Sequence, residues 1–422
     1  MLSIDFSRLS KIDLFDSAYQ KDRDEMMTGL PEFLKGIKSR GQGFYEVVFD
    51  RSVSDDILSY TNSVEGTYTD IVVLGIGGSA LGLQTLRDSL SHLYKSSDTN
   101  LYILDNIDPT MIQECREVIA LETTLFIVIS KSGGTPETLA SYSYFKSQLE
   151  QNDLPITDHF VFITGPDGFL REESEKFEAP TFTVPENVGG RFSVQTCVGL
   201  VPAALIGIDI EDFMKGGADM AKLFLSEKSK ENIPFILALH QYLLGERGMK
   251  NVVMMPYVQK LKTFSDWYAQ LLAESTGKIN KEGKHVGFSP VAALGATDQH
   301  SQLQLYTQGP NDKQLVLIKS KELSASIKIP DLGEGPKTEI LKGVTFEQLL
   351  YTEMRATADT LTEENRANYS IEIDKVDAYH LGQLVMLFEG ATAFLGEFLE
   401  IDAFNQPGVE RSKVLTREYL QS

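Results

Sequence analysis

The sequence predicts an α/β protein of two doubly wound parallel-sheet domains, with helical segments at both ends. Three observations carry this. Short β-branched runs alternate with stretches of helical period, the pattern of βαβ units. The runs are almost continuously apolar, as in strands covered on both faces. The length of 422 residues suggests two or three domains at about 150 residues each.

The elements follow in order. Residues 1–40 read as an N-terminal helical segment, with turns at Gly29 and from Gly36 to Gly41. The first α/β domain spans 41–187. Its strands are expected at 70–75, 101–105, 124–130 and 159–164, and its helices at 80–94, 109–118 and 136–150. A join is expected near Pro185 to Gly190, and a second α/β domain spans 188–370. It holds helices near 195–206, 210–224, 232–246, 261–273 and 345–361, and strands at 251–256 and 314–318. A C-terminal helical segment, 371–422, contains a helix near 376–399 and a polar tail.

Composition narrows the function. Apolar residues make up 42% and charged residues 23%, ordinary for a globular chain. Thirty-nine basic residues against sixty acidic ones give a net charge of −21. That field repels phosphate backbones and anionic lipid, so neither nucleic acid nor a membrane surface is expected as a partner. An anionic ligand needs its own cluster of donors. Cys115 and Cys197 lack metal-ligand spacing and are expected to be buried thiols. The six histidines form no metal pair, so no metal or other cofactor is expected. Asp5, Arg8, Lys11 and Asp13 break the N-terminus too early for a signal-peptide core. Glu389 and Glu397 interrupt the most apolar stretch, 381–399, so no membrane span is read there. A cytoplasmic location is the expectation.

Four stations could carry chemistry. Gly75-Ile-Gly-Gly-Ser-Ala80 follows a strand and opens a helix. There glycines let a ligand approach the backbone and free N–H groups face an anion. On its own this turn also fits a dinucleotide fingerprint, with Asp105 as ribose acceptor, or a tight turn without ligand. Ser130-Lys-Ser-Gly-Gly-Thr-Pro-Glu-Thr138 again links strand to helix, with Pro136 suited to the first helical turn. The hydroxyls of Ser130, Ser132 and Thr135, a lysine and two glycines at a positive helix end suit a phosphomonoester, and Thr135 or Ser132 also fits a helix cap. Gly189-Gly-Arg-Phe-Ser193 leaves room beside an arginine able to hold an oxyanion, or forms a linker turn. Glu274, in Ala273-Glu-Ser-Thr-Gly-Lys278, falls in the last turn of an apolar helix, where the dipole disfavours its charge. It reads as a general base or as a surface carboxylate before a glycine cap.

Together these stations resemble the phosphoglucose isomerase family, which is built from two sugar-isomerase (SIS) domains of flavodoxin-like type. The resemblance runs from about residue 65 to 415. It includes Gln299-His300 and ends in Phe404-Asn-Gln-Pro-Gly-Val-Glu-Arg-Ser-Lys413. It implies interconversion of glucose 6-phosphate and fructose 6-phosphate through a cis-enediolate. It implies that Ser79, Ser130, Ser132 and Thr135 bind the phosphate, with Gly78, Gly190 and the Lys131 backbone alongside. By the same resemblance Glu274 moves the proton between C2 and C1, and Arg191 offsets the enediolate. His300 and Lys413 open the ring, Glu137 supports the histidine, and Gln406 lines the site. A second subunit supplies the histidine, which implies a homodimer. The competing expectations are an isomerase that also takes mannose 6-phosphate, a NAD-dependent dehydrogenase, and a non-catalytic sugar-phosphate sensor.

Overall fold

The computed structural model describes residues 1–94, 99–333 and 335–421. Its strands are β1 (Ser3–Asp5), β2 (Asp70–Leu74), β3 (Asn100–Leu104), β4 (Thr124–Ser130), β5 (Phe160–Thr164) and β6 (Thr181–Thr183). They continue with β7 (Asn251–Pro256), β8 (Lys278–Ile279), β9 (His285–Val286), β10 (Ser289–Ala292), β11 (Lys313–Glu322) and β12 (Ala367–Lys375). The chain forms two compact units. One holds 41–221 and 377–386; the other holds 1–40, 222–376 and 387–422.

The first unit contains a sheet in the order β3-β2-β4-β5-β6, every pair parallel. Each residue of β2, β4 and β5 is buried, which accounts for their unbroken apolar sequence. On one face Phe126, Val128, Phe160 and Phe162 pack with Tyr142, Phe145 and Leu149 of the Pro136–Gln151 helix. Each such aromatic contributes about 1.5–3 kcal/mol by burial. The order places a topological switch between β2 and β4, because the chain leaves β2 for β3 on one side and then crosses back to β4 on the other. Ligands bind at the carboxyl ends of strands at such a point.

The second unit repeats the scheme with one difference. Its sheet runs β1-β12-β11-β7-β10, parallel except for the antiparallel edge strand β1. Val253, Met255, Leu315 and Leu317 face Met354, Ala358 and Leu361 of the Phe346–Glu363 helix. Residues 1–40 are therefore more than a helical segment: they add a strand and then the helices Ser17–Thr28 and Leu30–Ser39.

Two further differences have local causes. Gly36, read as a turn, lies inside the Leu30–Ser39 helix. A Cβ there would fall 2.4 Å from the Glu397 carboxylate, which also accepts a 2.7 Å hydrogen bond from Arg40 Nε. The glycine serves a close approach rather than a bend. The sequence placed the domain join at 187/188, whereas the first compact unit continues to Ala221. The Cys197–Leu205 helix packs on Arg51–Ser63 and Leu81–Leu90 within that unit.

Cys115 and Cys197 are buried. Burial pushes their thiols up to about 11 and about 12. Among the described residues no helix is long and apolar enough to cross a membrane.

Candidate functional site

In the first unit three loops meet at the switch point. After β2, Gly77 takes φ +58 and Gly77–Ser79 forms a 3₁₀ turn before the Leu81–Leu90 helix. After β4, Gly133 takes φ +63, and its N–H donates 3.0 Å to the Ser130 carbonyl. The chain then enters the Pro136–Gln151 helix, with Pro136 in the first turn and Thr135 at the N-cap position. Thr135 does not cap that helix through its side chain. Its hydroxyl lies 2.8 Å from that of Ser130 and 3.4 Å from that of Ser132. The two serine hydroxyls are themselves 3.4 Å apart. Three hydroxyls thus converge beside first-turn N–H groups that no side-chain cap occupies. That is a donor set for a tetrahedral oxyanion, and the helix dipole adds to it.

The third loop carries the arginine. A 3₁₀ turn covers Gly190–Phe192, and the Ser193 hydroxyl donates 2.7 Å to the Gly190 carbonyl. A Cβ on Gly78 would fall 2.4 Å from the carbonyl carbon and oxygen of Gly190 and 2.9 Å from the Arg191 nitrogen. The loop after β2 is therefore in backbone contact with the Gly189–Ser193 motif, and the missing side chain of Gly78 makes the approach possible. Arg191 is only 3% exposed, with its guanidinium carbon 5.5 Å from the Phe192 ring centroid. Glu137 lies half-buried in the first turn of the Pro136–Gln151 helix.

Lys131 departs from the sequence reading of the lysine as a phosphate donor. Its Nζ donates 2.7 Å to the Glu186 carbonyl and 2.8 Å to that of Val188. Burial holds its pKa below the usual lysine value, against the opposing charge of Glu186. Nothing in the local sequence signals that use of the side chain. Asp105, the ribose acceptor of the dinucleotide reading, accepts a 2.8 Å hydrogen bond from Gln84 Nε2.

The second unit carries Glu274, His300, Gln406 and Lys413. Glu274 lies half-buried in the last turn of the Lys262–Thr276 helix, accepting 3.0 Å from Gln270 Nε2. Lys278 Nζ donates 3.0 and 3.1 Å to the Glu274 and Ser275 carbonyls, satisfying the helix C-terminus. This helix runs back along β10. Ser265 in its first turns donates 3.4 Å to the Ala293 carbonyl, just past the strand's carboxyl end. Thr276 at its far end accepts 3.1 Å from the N–H of Phe288, just before the strand.

His300 is exposed, in the Thr297–His300 turn beyond the carboxyl end of β10. Tyr257, the residue after β7, fixes its neighbour by donating 2.7 Å to Gln299 Oε1. Asp298 secures the turn through the Leu294 N–H at 2.7 Å and the Ser301 hydroxyl. Burial raises its pKa, but those hydrogen bonds and the charge of Lys262 outweigh it and hold the carboxyl below its ordinary value. His300 therefore sits near the start of the Lys262–Thr276 helix, and Glu274 near its end. From Lys262 to Glu274 that helix rises about 18 Å, twelve residues at about 1.5 Å each.

Gln406 and Lys413 are exposed on the C-terminal segment, where Lys413 Nζ donates 2.8 Å to Glu410 on the Glu410–Gln421 helix. That segment is anchored upstream by Arg40, which donates 3.1 Å to the Ile401 carbonyl. Among the described residues no three His, Cys, Asp or Glu side chains are grouped to hold a metal ion.

Comparison with known proteins bears on the whole chain. The model of the family described as phosphoglucose isomerase matches residues 51–422. The glucose-6-phosphate isomerase of Carboxydothermus hydrogenoformans is 38% identical, over 98% of this chain and 94% of its own. That of Methanocaldococcus jannaschii is 33% identical, over 97% and 94%. A solved Thermus thermophilus structure, described as a hypothetical protein, superposes with a TM-score of 0.92 at 32% identity over 100% of both chains. A glucose-6-phosphate isomerase structure from Chlamydia trachomatis gives 0.81 at 23% identity, over 94% of this chain and 85% of its own, and shares the fold.

Proposed function

Because the chain belongs to the phosphoglucose isomerase family, we propose that its three-loop oxyanion cradle holds the phosphate of a hexose 6-phosphate while Glu274 moves the proton. The activity is that of a glucose-6-phosphate isomerase, the reversible aldose–ketose interconversion of glucose 6-phosphate and fructose 6-phosphate. The observation that carries the assignment of the site is the convergence of the Ser130, Ser132 and Thr135 hydroxyls at an uncapped helix start. With Ser79, Gly78 and Gly190 beside it, that cradle anchors one end of the substrate.

The remaining roles follow from the chemistry. His300 and Lys413 open the sugar ring, moving a proton between the ring oxygen and the anomeric hydroxyl, and Glu137 supports the histidine. Ring opening exposes a carbonyl at C1 of the aldose or C2 of the ketose. Glu274 takes the proton from the carbon next to that carbonyl and returns it to the neighbouring carbon. The intermediate is a cis-enediolate. Arg191, held rigid by its burial, offsets the charge that develops on its oxygens. Gln406 lines the site.

The separation of Glu274 and His300 within a chain supports a homodimer, in which a second copy supplies the histidine. We place the enzyme in the cytoplasm.

The test is a coupled assay of fructose 6-phosphate conversion on the parent chain and on Glu274→Gln. General base catalysis of this kind contributes about 10²–10⁴-fold. The variant is expected to lose at least about 100-fold in kcat while its affinity for a non-isomerisable hexitol 6-phosphate changes little. Near-parental turnover in Glu274→Gln would remove the carboxylate from the mechanism.

A further inference from the structure

We infer that the side chain of Lys131 is a strut that positions Arg191 relative to the phosphate cradle, rather than a phosphate ligand. The inference rests on the isomerase reading of that cradle. Lys131 lies inside the cradle sequence, between Ser130 and Ser132. Its ammonium nonetheless spends two donors on the Glu186 and Val188 carbonyls, at 2.7 and 2.8 Å. The carbonyl between them, on Asn187, accepts 2.9 Å from the Gly43 N–H. Three consecutive carbonyls are thus held from two sides, immediately before Gly189-Gly190-Arg191.

The fixation continues into the arginine turn. Val188 is fully buried, and its N–H donates 3.2 Å to the Pro185 carbonyl. Gly190 then meets Gly78 backbone to backbone. The lysine's own backbone is fixed too, since its carbonyl accepts 3.1 Å from the Gly165 N–H. One covalent step therefore links the hydroxyls that grip the phosphate to the loop that aims the guanidinium. A charged amine that is partly buried makes stronger hydrogen bonds to carbonyls than a neutral donor does. The arginine acts on charge that exists only in the enediolate-like transition state, so its alignment bears on kcat more than on binding. A displacement of 1 Å at such a group costs about 10²-fold.

The experiment is a double-mutant cycle on the full chain, using Lys131→Met, Arg191→Ala and the double variant. It is read by steady-state kinetics and by calorimetric binding of a hexitol 6-phosphate. Lys131→Met is expected to lower kcat about 10- to 100-fold and to change hexitol 6-phosphate affinity less than about threefold. In the Arg191→Ala background the same change is expected to cost less than about twofold, because the strut then has nothing to aim. Lys131→Arg, which keeps charge and donors, is expected to recover part of the loss. If the methionine variant does not fold, Lys131→Gln serves the same cycle.

Multiplicative losses in the double variant would overturn the strut. So would a fall in hexitol phosphate affinity equal to the fall in kcat/KM with kcat unchanged, the mark of direct phosphate contact. Amide exchange across 186–192 gives a readout independent of turnover. It is expected to speed up in Lys131→Met, and unchanged exchange would also overturn the proposal. A parent chain inactive on both hexose phosphates would instead refute the isomerase reading, with the exchange result still deciding the strut.

Discussion

Mixing two inactivated preparations tests the proposed sharing of the site between two subunits. The perturbations are Glu274→Gln in one preparation and His300→Ala in the other. The Lys262–Thr276 helix rises about 18 Å from Lys262 to Glu274, and His300 lies in the turn beyond the carboxyl end of β10, by which that helix begins. The fixed points are the Ser265 and Thr276 hydrogen bonds to opposite ends of β10. If each site takes its carboxylate from one chain and its histidine from the other, both parents of the mixture are silent. Random reassortment of an isologous dimer makes about half of the dimers hybrids. In each hybrid one site carries both lesions and the other carries none. About a quarter of parental activity is then expected to return, from single variants that are each at least about 100-fold down.

The assay is coupled detection of glucose 6-phosphate, after subunit exchange under mild denaturant followed by dilution. Mass-labelled chains report independently that hybrids formed. Recovery is expected to track the hybrid fraction as the mixing ratio varies, with a maximum at equal amounts. If hybrids form and activity stays at the sum of the two single variants, both groups serve the same protomer's substrate. The separation read from the helix would then have no functional meaning, and the homodimeric site would be refuted.

Two other predictions concern packing. Gly78→Ala brings a methyl group within 2.4 Å of the Gly190 backbone, where nothing flexible can yield. Overpacking of this kind costs about 1–3 kcal/mol; here it is expected to lower the melting temperature and cut kcat/KM by at least about tenfold, and an alanine variant matching the parent on both would disprove the contact. Glu389, in the Ala378–Phe398 helix, is fully buried, and neither carboxylate oxygen has a hydrogen-bond partner among the described residues. Burial raises its pKa well above the ordinary carboxylate value, so the native carboxyl keeps its proton where an unfolded-chain glutamate, near pH ~4.3, has lost it. The native state then binds more protons, and stability falls as pH rises above that point, by about 1.4 kcal/mol per unit until the native group ionises. Glu389→Gln is expected to remove that slope, so its melting temperature gains on the parent's between about pH 5 and about pH 8; a gap independent of pH would show that the carboxyl ionises alike in both states.

The elements that the sequence shows best are those whose local chemistry and tertiary role coincide. β2, β4 and β5 are wholly buried, so each residue reports the same environment. The loops after β2 and β4 are glycine-rich because the backbone there takes positive φ at Gly77 and Gly133. The edge strands are another matter. β1 and β6 are three residues long and have no fully buried residue, too short for a period to register. β12 carries a buried Asn368 and half-buried Glu372 and Asp374 between its apolar residues, and these polar residues hide a central partner of β11. Gly36 misled because a glycine that admits the Glu397 carboxylate is written like one that admits a turn.

The same distinction divides the site. Ser130, Ser132 and Thr135 are legible because five consecutive bonds of loop bring them together, and Glu274 because of its place at a helix end. No pattern of neighbours, however, says whether an ammonium between two serines faces the ligand or the chain. Lys131 turns to Glu186 and Val188, more than fifty residues away in sequence. A cradle needs donors whose positions stay fixed when the anion arrives, and a lysine bonded to a phosphate alone would leave the Arg191 loop unrestrained on that side. Using its charge on the neighbouring carbonyls costs the anion one direct contact. On the proposed reading it ties the group that binds the ground state to the group that meets the transition state, and only the latter raises the rate.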